Sequence, residues 1–510
     1  MEYKQRRETI TVNEVIYDGC QEQPVDLELT LPDYCPDIQK ILKCQVEPSI
    51  LSASLVGDSA DINGSMTVRV LYLDADSKKI RCYENTSQFS ANLPVKTTTG
   101  NGVVLPRTNV EYVNCRATSP RRLDIHGAFS VCACVWEQRD LELLHSVEDD
   151  DVEQLQEEVS FSTCEGVAQQ MISIEEVLEL GAGKPCADRI LRTDATVSVE
   201  ECRVLDSRML CKGTVLLKVL YLTDLRDALP ETMEYGLPFQ QMLDCRAADR
   251  SQADVSIRLM GANVQIKSDS AGENNLLEAE VKLLATVQSY GDSTVTMVTD
   301  AYSRSLEVTL EHQQRTFLQF GGSYTDHCAQ KNTFSFPEGG LSKVIDIWNE
   351  SCVVTAAEEE GTLLYKGKYN LCLLALNNEG TPFYFERTLE MNYGRELNGE
   401  GGCQCRTSGS VSNLTYRITG GDSMEIKTEF SLETTVFRER TCRFLTEVIP
   451  NPDMEKPKDR SASLVLYYTA GGESLWEIAK QYATSVQAIQ SENDLTESVA
   501  DQPGMLLIPI

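Results

Sequence analysis

The chain has 510 residues, with 46 Lys plus Arg against 78 Asp plus Glu, so its formal net charge is −32. Such an excess of carboxylates excludes sequence-independent nucleic-acid binding, which draws its affinity from phosphate neutralisation, and excludes charge-driven adhesion to anionic membranes. Hydrophobic residues make up 41%, enough for packed cores, and at roughly 100–200 residues per domain the length predicts about three to five domains.

The first residues, Met1-Glu2-Tyr3-Lys4-Gln5-Arg6-Arg7-Glu8, hold no apolar core of a secretory signal. No apolar stretch is long enough to span a bilayer, so no direct membrane insertion is expected. The reading is a cytoplasmic protein whose 18 Cys are mostly reduced thiols. They are scattered, with no CxxC, and several alternate with apolar residues as small core hydrophobes. No metal site and no cofactor is expected.

One segment recurs along the chain. It reads Asn63-Gly64-Ser65-Met66-Thr67-Val68-Arg69-Val70-Leu71-Tyr72-Leu73, returns from Lys212-Gly213 to Leu220-Tyr221-Leu222, and again from Lys366-Gly367 to Leu374-Ala375-Leu376. After each glycine every second residue is apolar, which predicts a strand with one buried face. Ahead of each copy stands a short helical or extended motif: Asp37–Leu42, Asp188–Leu191 and Leu341–Asp346. After each comes a second alternating run, at 123–131, 277–285 and 424–432. Val, Thr, Ile and Tyr fill the runs and Gly, Asn and Asp punctuate them, as at Asn398-Gly399-Glu400-Gly401-Gly402. The fold class is therefore mainly β: three tandem sandwich- or barrel-like repeats, then a small α+β unit. Expected boundaries are 1–147, 148–317, 318–449, a linker at 450–463 and a last unit at 464–510. The acidic run Glu148–Glu158 reads as a solvated linker or helix face. Pro450-Asn451-Pro452 through Arg460 reads as an extended, semi-rigid tether.

The last fifty residues change character. Leu464–Tyr468 is a strand, and Ser474 with Glu477 forms a capping box that starts a helix. Leu475, Ile478, Ala479 and Tyr482 share one face of it. Thr484 with Gln487 caps a second helix, which Asn493 ends in the left-handed conformation. Pro503-Gly504 turns into a closing strand, Met505–Pro509.

This βααβ segment resembles a LysM domain through Tyr468-Thr469, Gly472-Glu473-Ser474-Leu475, Ile478-Ala479, Tyr482, Thr484, Val486, Ile489, Asn493, Leu495, Pro503-Gly504, Leu506 and Ile508-Pro509. The resemblance implies binding of N-acetylglucosamine-containing glycans. The implied groove has Gly472, Glu473, Ser474 and Leu475 on one side and Ile489, Asn493, Asp494 and Leu495 on the other. The family's Asp-Thr is Glu473-Ser474 here, and the segment is acidic, with Lys480 as its one basic residue. A basic protein partner would exploit that charge.

The repeats with a terminal LysM resemble the SipL family of spore-forming bacteria, built from SPOCS (spore and coat) domains. Leu31-Pro32-Asp33-Tyr34-Cys35-Pro36-Asp37-Ile38-Gln39-Lys40-Ile41-Leu42 and the Leu-Tyr-Leu strand ends carry this resemblance. It implies a non-enzymatic interaction scaffold in spore-coat assembly, working on the mother-cell side at the forespore surface. There the LysM domain docks on a coat morphogenetic ATPase or another coat protein. The alternative is a peptidoglycan-binding protein of the cortex or wall. No P-loop, GxSxG or HExxH occurs, so no catalytic residue is assigned. Cys328 with His312 is an example of a nucleophile–base pairing that the sequence offers.

Overall fold

The computed structural model describes residues 2–510 except 77–78, 98–99, 101, 207, 224–228, 246–251, 337–338, 398–401, 421, 458–462, 471, 496–498 and 501–502. The turn expected at Asn398–Gly401 lies outside the described residues.

Six antiparallel strands make the first repeat: β1 (Gln5–Thr30), β2 (Ile38–Val56), β3 (Ser59–Asp74), β4 (Ile80–Pro94), β5 (Val103–Ser119) and β6 (Arg122–Val147). They form two three-stranded sheets, ordered β1-β6-β5 and β2-β3-β4. The second repeat has β7 (Val152–Glu179), β8 (Ala187–Leu205), β9 (Arg208–Thr223), β10 (Glu231–Leu243), β11 (Ala253–Lys267) and β12 (Leu276–Ser303), ordered β7-β12-β11 and β8-β9-β10. The third has β13 (Leu306–Ser335), β14 (Lys343–Trp348), β15 (Cys352–Glu359), β16 (Thr362–Leu376), β17 (Pro382–Glu396), β18 (Cys403–Ile418) and β19 (Ser423–Glu455). Its orders are β13-β19-β18 and β14/β15-β16-β17, with the first meander strand broken into two. One topology is thus used three times.

In each repeat the two sheets close over a core of alternating residues. Val68, Val70 and Tyr72 meet Ile125, Phe129 and Val131 in the first. Val215, Leu217 and Val219 meet Leu277, Ala279 and Val281 in the second. The tyrosine of the Leu-Tyr-Leu motif explains the proline ahead of it: Tyr72 Oη donates to the Pro36 carbonyl and Tyr221 Oη to the Pro185 carbonyl, both at 3.3 Å. The motifs at Asp37–Leu42, Asp188–Leu191 and Leu341–Asp346 lead into strands β2, β8 and β14, with pairing to β3, β9 and β16 deciding against helix.

The repeats do not hang as beads. In each, the first and last strands outrun their sandwich, and a bulge separates the outer from the inner half of that hairpin. Register shifts fall at Val15/Tyr17 against β6, at Ser289/Tyr290 against β7 and at Phe320/Gly322 against β19. An extra residue on one strand bends the ribbon and raises its twist. The inner halves of all three hairpins converge. Ile10, Val12, Leu141 and Leu143 pack with Val159, Phe161, Val295 and Met297, and with Phe317, Cys442 and Phe444. The residues opposite the three bulges, Trp136, Tyr290 and Phe437, occupy equivalent positions and meet in one cluster. The first and last repeats are also joined farther along the ribbons, where the Gln5 side-chain amide donates to the Val448 carbonyl (3.0 Å) and accepts from its N–H (3.3 Å).

A second three-way contact joins the meanders. Leu71 and Leu73 pack with Leu220 and Leu222 and with Trp348 and Leu374. These leucines flank the motif tyrosines on the opposite strand face, which single-faced alternation assigns to solvent; neighbouring repeats bury it instead. Ion pairs line the same junction. Lys43 Nζ lies 2.9 Å from Glu350 and 2.7 Å from Glu386, and Lys218 pairs with Asp346. Burial pulls the Lys43 pKa down, but Glu350 and Glu386 outweigh it and hold the ammonium above its ordinary 10.5. Burial pushes Glu386 up, but Lys43, Tyr384 and Asn370 outweigh it and hold the carboxyl below 4.5.

The bridge therefore contributes fully between those two ordinary values. It is lost as pH falls through the depressed Glu386 pKa, and as pH rises through the raised Lys43 pKa. Lys43→Met should cost about 1–2 kcal/mol at neutral pH, a figure discounted because Glu386 keeps 37% of its side chain in water. Urea melts should show the gap between wild type and variant closing in acid.

The structure moves the expected joints. Glu148–Asp151 is a tight turn, where Asp151 accepts from Ser303 and Ser305, and Val152 already begins β7. The third repeat's first strand starts at Leu306, so a boundary at 318 falls inside β13. Asn451 and Pro450 pair with Glu307 and Val308, so the first residues of the supposed linker at 450–463 are the end of β19. The hub claims both segments, whose sparse apolar residues resemble linker. Residues 458–462 of that tether lie outside the described residues.

Candidate functional site

The C-terminal unit is assembled from β20 (Leu464–Thr469), β21 (Glu473–Ser474), α1 (Leu475–Gln481), α2 (Val486–Asn493), β22 (Val499–Ala500) and β23 (Gly504–Pro509). Ser474 caps α1, its Oγ accepting from Trp476 N at 3.2 Å, as the capping pattern requires. The second cap is Ser485 and not Thr484: Ser485 Oγ accepts from Ala488 N at 3.1 Å, while Thr484 is buried. The left-handed residue closing α2 is Asp494 (φ 52°) and not Asn493. The Asn493 side chain instead ties α2 to β23. It donates to the carbonyls of Ile489 (2.8 Å) and Leu507 (2.7 Å) and accepts from Leu507 N (2.7 Å).

Glu473 and Ser474 of the first expected wall pair with Ala500 and Val499, and Leu475 shares a core cluster with Ile489 and Leu495 of the second. The eight groove residues then divide by role. Leu475 and Ile489 have no exposed surface and sit in the core with Ile478, Ala479, Leu506 and Ile508. A charge at Ile489 would therefore report on folding and not on a groove floor. Ser474 and Asn493 are spent on caps and ties, and Leu495 packs against the core. Gly472, Glu473 and Asp494 remain at the rim. Gly472 has φ +76° and open space around its α-carbon, and Glu473 accepts from Tyr467 Oη at 3.1 Å.

The unit is seated on the second repeat, not held away on an arm. Tyr302, near the end of β12, is 1% exposed inside the C-terminal core and stacks edge-on against Trp476 at 4.9 Å. Its hydroxyl donates to the Thr484 carbonyl at 2.7 Å. Asp300 accepts from Trp476 Nε1 at 2.7 Å and from Lys480 Nζ at 2.6 and 2.8 Å. The unit's one basic residue is therefore engaged within the chain. Nothing in the sequence pattern of β12 distinguishes Asp300 and Tyr302 as a seat.

On the far side lies a different surface. Leu464, Leu466 and Tyr468 alternate outward along β20, 43%, 57% and 74% exposed. Leu507 and Met505 stand opposite Leu466 and Tyr468 on β23. The result is one continuous apolar sheet face.

Elsewhere, reactive groups are dispersed or spent. His312 and Cys328 lie sixteen residues apart on the single strand β13, roughly 50 Å at strand rise, so they form no dyad. Glu350, Cys372 and Glu386 come within 4.8 Å of one another. The positive charge among them is Lys43, and burial holds the Cys372 thiol up at about 12, so the cluster is occupied as an ion pair. Cys20 and Cys132, opposed on β1 and β6, are joined by a disulfide, and the other sixteen cysteines are thiols. Among the described residues no helix is long and apolar enough to cross a membrane.

Comparison with known families gives two matches. Residues 37–118 and 186–267 match the SipL SPOCS domain, and residues 470–508 match the LysM domain. Both are binding domains without catalytic chemistry; the first suggests a sporulation-related role and the second glycan binding. No curated protein and no solved structure matches the chain.

Proposed function

We propose that this chain, with its two SPOCS domains and its LysM domain, is a non-enzymatic scaffold of spore-envelope assembly. In this reading the LysM domain docks on a coat morphogenetic protein at the mother-cell face of the forespore. The observation that carries it is the apolar sheet face of Leu464, Leu466, Tyr468 and Met505, left open to solvent while the opposite side of the domain is seated on Tyr302. Contiguous exposed apolar surface of this kind marks a protein contact. The same domain carries Glu473, Glu477, Glu492 and Asp494 while its one lysine is engaged with Asp300, so the partner should carry a hydrophobic patch accompanied by Lys or Arg.

The test uses the full chain, because the LysM core is completed by a residue of the second repeat. Leu466→Lys should lower capture of coat proteins from sporulating-cell extract at least tenfold, without changing the circular-dichroism spectrum. Undiminished capture by the folded variant would sink the docking face. A second reading, peptidoglycan binding, is favoured by the accessible rim of Gly472, Glu473 and Asp494. It expects retention of the wild type on purified sacculi and loss of retention in Gly472→Val.

A further inference from the structure

Cys202 on β8 and Cys211 on β9 stand directly opposite each other in the second repeat. Their sulfurs are 3.4 Å apart. Cys211 has no exposed surface and belongs to the core of the repeat. Cys202 is half-buried and packs at the margin of that core. The pair lies just beyond a bulge at Val199/Glu201, and the hairpin ends soon after it, at Leu205 opposite Arg208.

Sulfur distance alone does not make a bondable pair; the backbone must allow the bond. Directly opposed residues of antiparallel strands hold their α-carbons about 4.5–5.5 Å apart. That lies inside the span of about 4.4–6.8 Å that a disulfide bridges. Cys20 and Cys132 stand in the same relation on β1 and β6, and they are joined. Cys403 and Cys405 supply the contrast. Their sulfurs are close as well, at 3.6 Å, but the two residues sit on the single strand β18. Two strand steps put α-carbons about 6.6–6.8 Å apart, at the far limit of that span. Their Cα–Cβ bonds also point the same way and not toward each other. The backbone therefore permits closure at 202–211 and opposes it at 403–405.

We propose that Cys202 and Cys211 form a redox-responsive dithiol, in which Cys202 reacts with a hydroperoxide and Cys211 resolves the product into a disulfide. Exposure sets the order, because Cys202 reaches the surface and Cys211 offers the peroxide none. The Cys202 thiol gives up its proton, and its sulfur attacks one peroxide oxygen. The O–O bond breaks, and the departing hydroxide takes up that proton as water. Cys202 is then a sulfenic acid. The Cys211 sulfur attacks the Cys202 sulfur, the S–O bond breaks and the S–S bond forms. The hydroxyl leaves with the Cys211 proton as a second water. Two thiols thus give up two electrons and two protons, and one peroxide becomes two waters. A dithiol reductant reverses the bond by exchange. Closure would fix β8 to β9 beyond the bulge, where few pairs remain to hold the register.

The test treats the full chain with hydrogen peroxide, alkylates the remaining thiols in denaturant and maps tryptic peptides by mass spectrometry. Cleavage after Arg203 and Arg208 places the two cysteines on separate peptides, so a bond between them appears as a linked pair. The expected result is a linked 202–211 pair that dithiothreitol returns to two free peptides, with conversion of Cys403 and Cys405 at least tenfold lower. In Cys211→Ala the sulfenic acid should persist at Cys202 and take up dimedone. In Cys202→Ala, Cys211 should remain a thiol. Circular dichroism identifies the folded variants, and the wild-type map stands without them. Recovery of both cysteines as alkylated thiols from peroxide-treated wild type would overturn the proposal, as would linkage of Cys202 to any other cysteine. Equal conversion of Cys403 and Cys405 would overturn the backbone argument. Dimedone on Cys211 in folded Cys202→Ala would overturn the assigned order of attack.

Discussion

Asp300→Ala should release the LysM domain from the second repeat. Asp300 accepts from the Trp476 indole and takes both short contacts from Lys480. Removing it leaves a nearly buried N–H, in a residue 9% exposed, without a partner, which costs about 1–3 kcal/mol. The Lys480 pair adds less, because that side chain is 36% exposed. Tyr302 would still insert, so Asp300→Ala combined with Tyr302→Ala should complete the detachment. Small-angle scattering should then show a larger radius of gyration, and Trp476 fluorescence should shift to the red. Asp300→Asn, which keeps an acceptor for the indole, should behave nearly as wild type. An unchanged scattering curve for the double variant would mean that the seat is not what holds the domain.

Phe444→Ala should destabilise the whole ring and not the third repeat alone. Phe444 has no exposed surface and packs where hairpins from all three repeats meet. Truncating a phenylalanine at such a site costs about 3–5 kcal/mol, and a cavity between bodies cannot be closed by one of them relaxing. Urea unfolding followed by hydrogen exchange should show protection falling together in β6, β12 and β19. Loss confined to β13–β19 would instead mean that the repeats are energetically independent. Phe161, tilted against Phe317 at 5.8 Å, offers the same test from the second repeat.

The repeat was readable because each sandwich states itself locally: period-two runs, a glycine ahead of the strand and turn residues between. The LysM fold was readable for the same reason, its caps and apolar face lying within fifty residues. What escaped depends on contacts that sequence spacing does not encode. Trp136, Tyr290 and Phe437 look like ordinary strand aromatics until the bulges bring them together. Leu71 and Leu220 look solvent-facing until a neighbouring repeat covers them. Pro450–Glu455 looks like tether because prolines disfavour central strands, yet β19 at that point pairs only with β13, and edge positions tolerate proline. In the groove, Ile489 and Leu475 matched the family pattern correctly but as core positions, a distinction that only burial reveals.

The contact between Gln5 and Val448 spans 443 residues and joins the opening strand to the last strand of the ring. During synthesis the inner half of β1 leaves the ribosome long before β19 exists. Ile10, Val12, Leu141 and Leu143 can meet Val159, Phe161, Val295 and Met297 of the second repeat, but the side that receives Phe317, Cys442 and Phe444 stays uncovered until β19 has been made. A message cut short after the second repeat would therefore yield two finished sandwiches with a sticky, unfinished centre, a species prone to aggregation and a natural client for chaperones. Only a chain extended through β19 can close on itself.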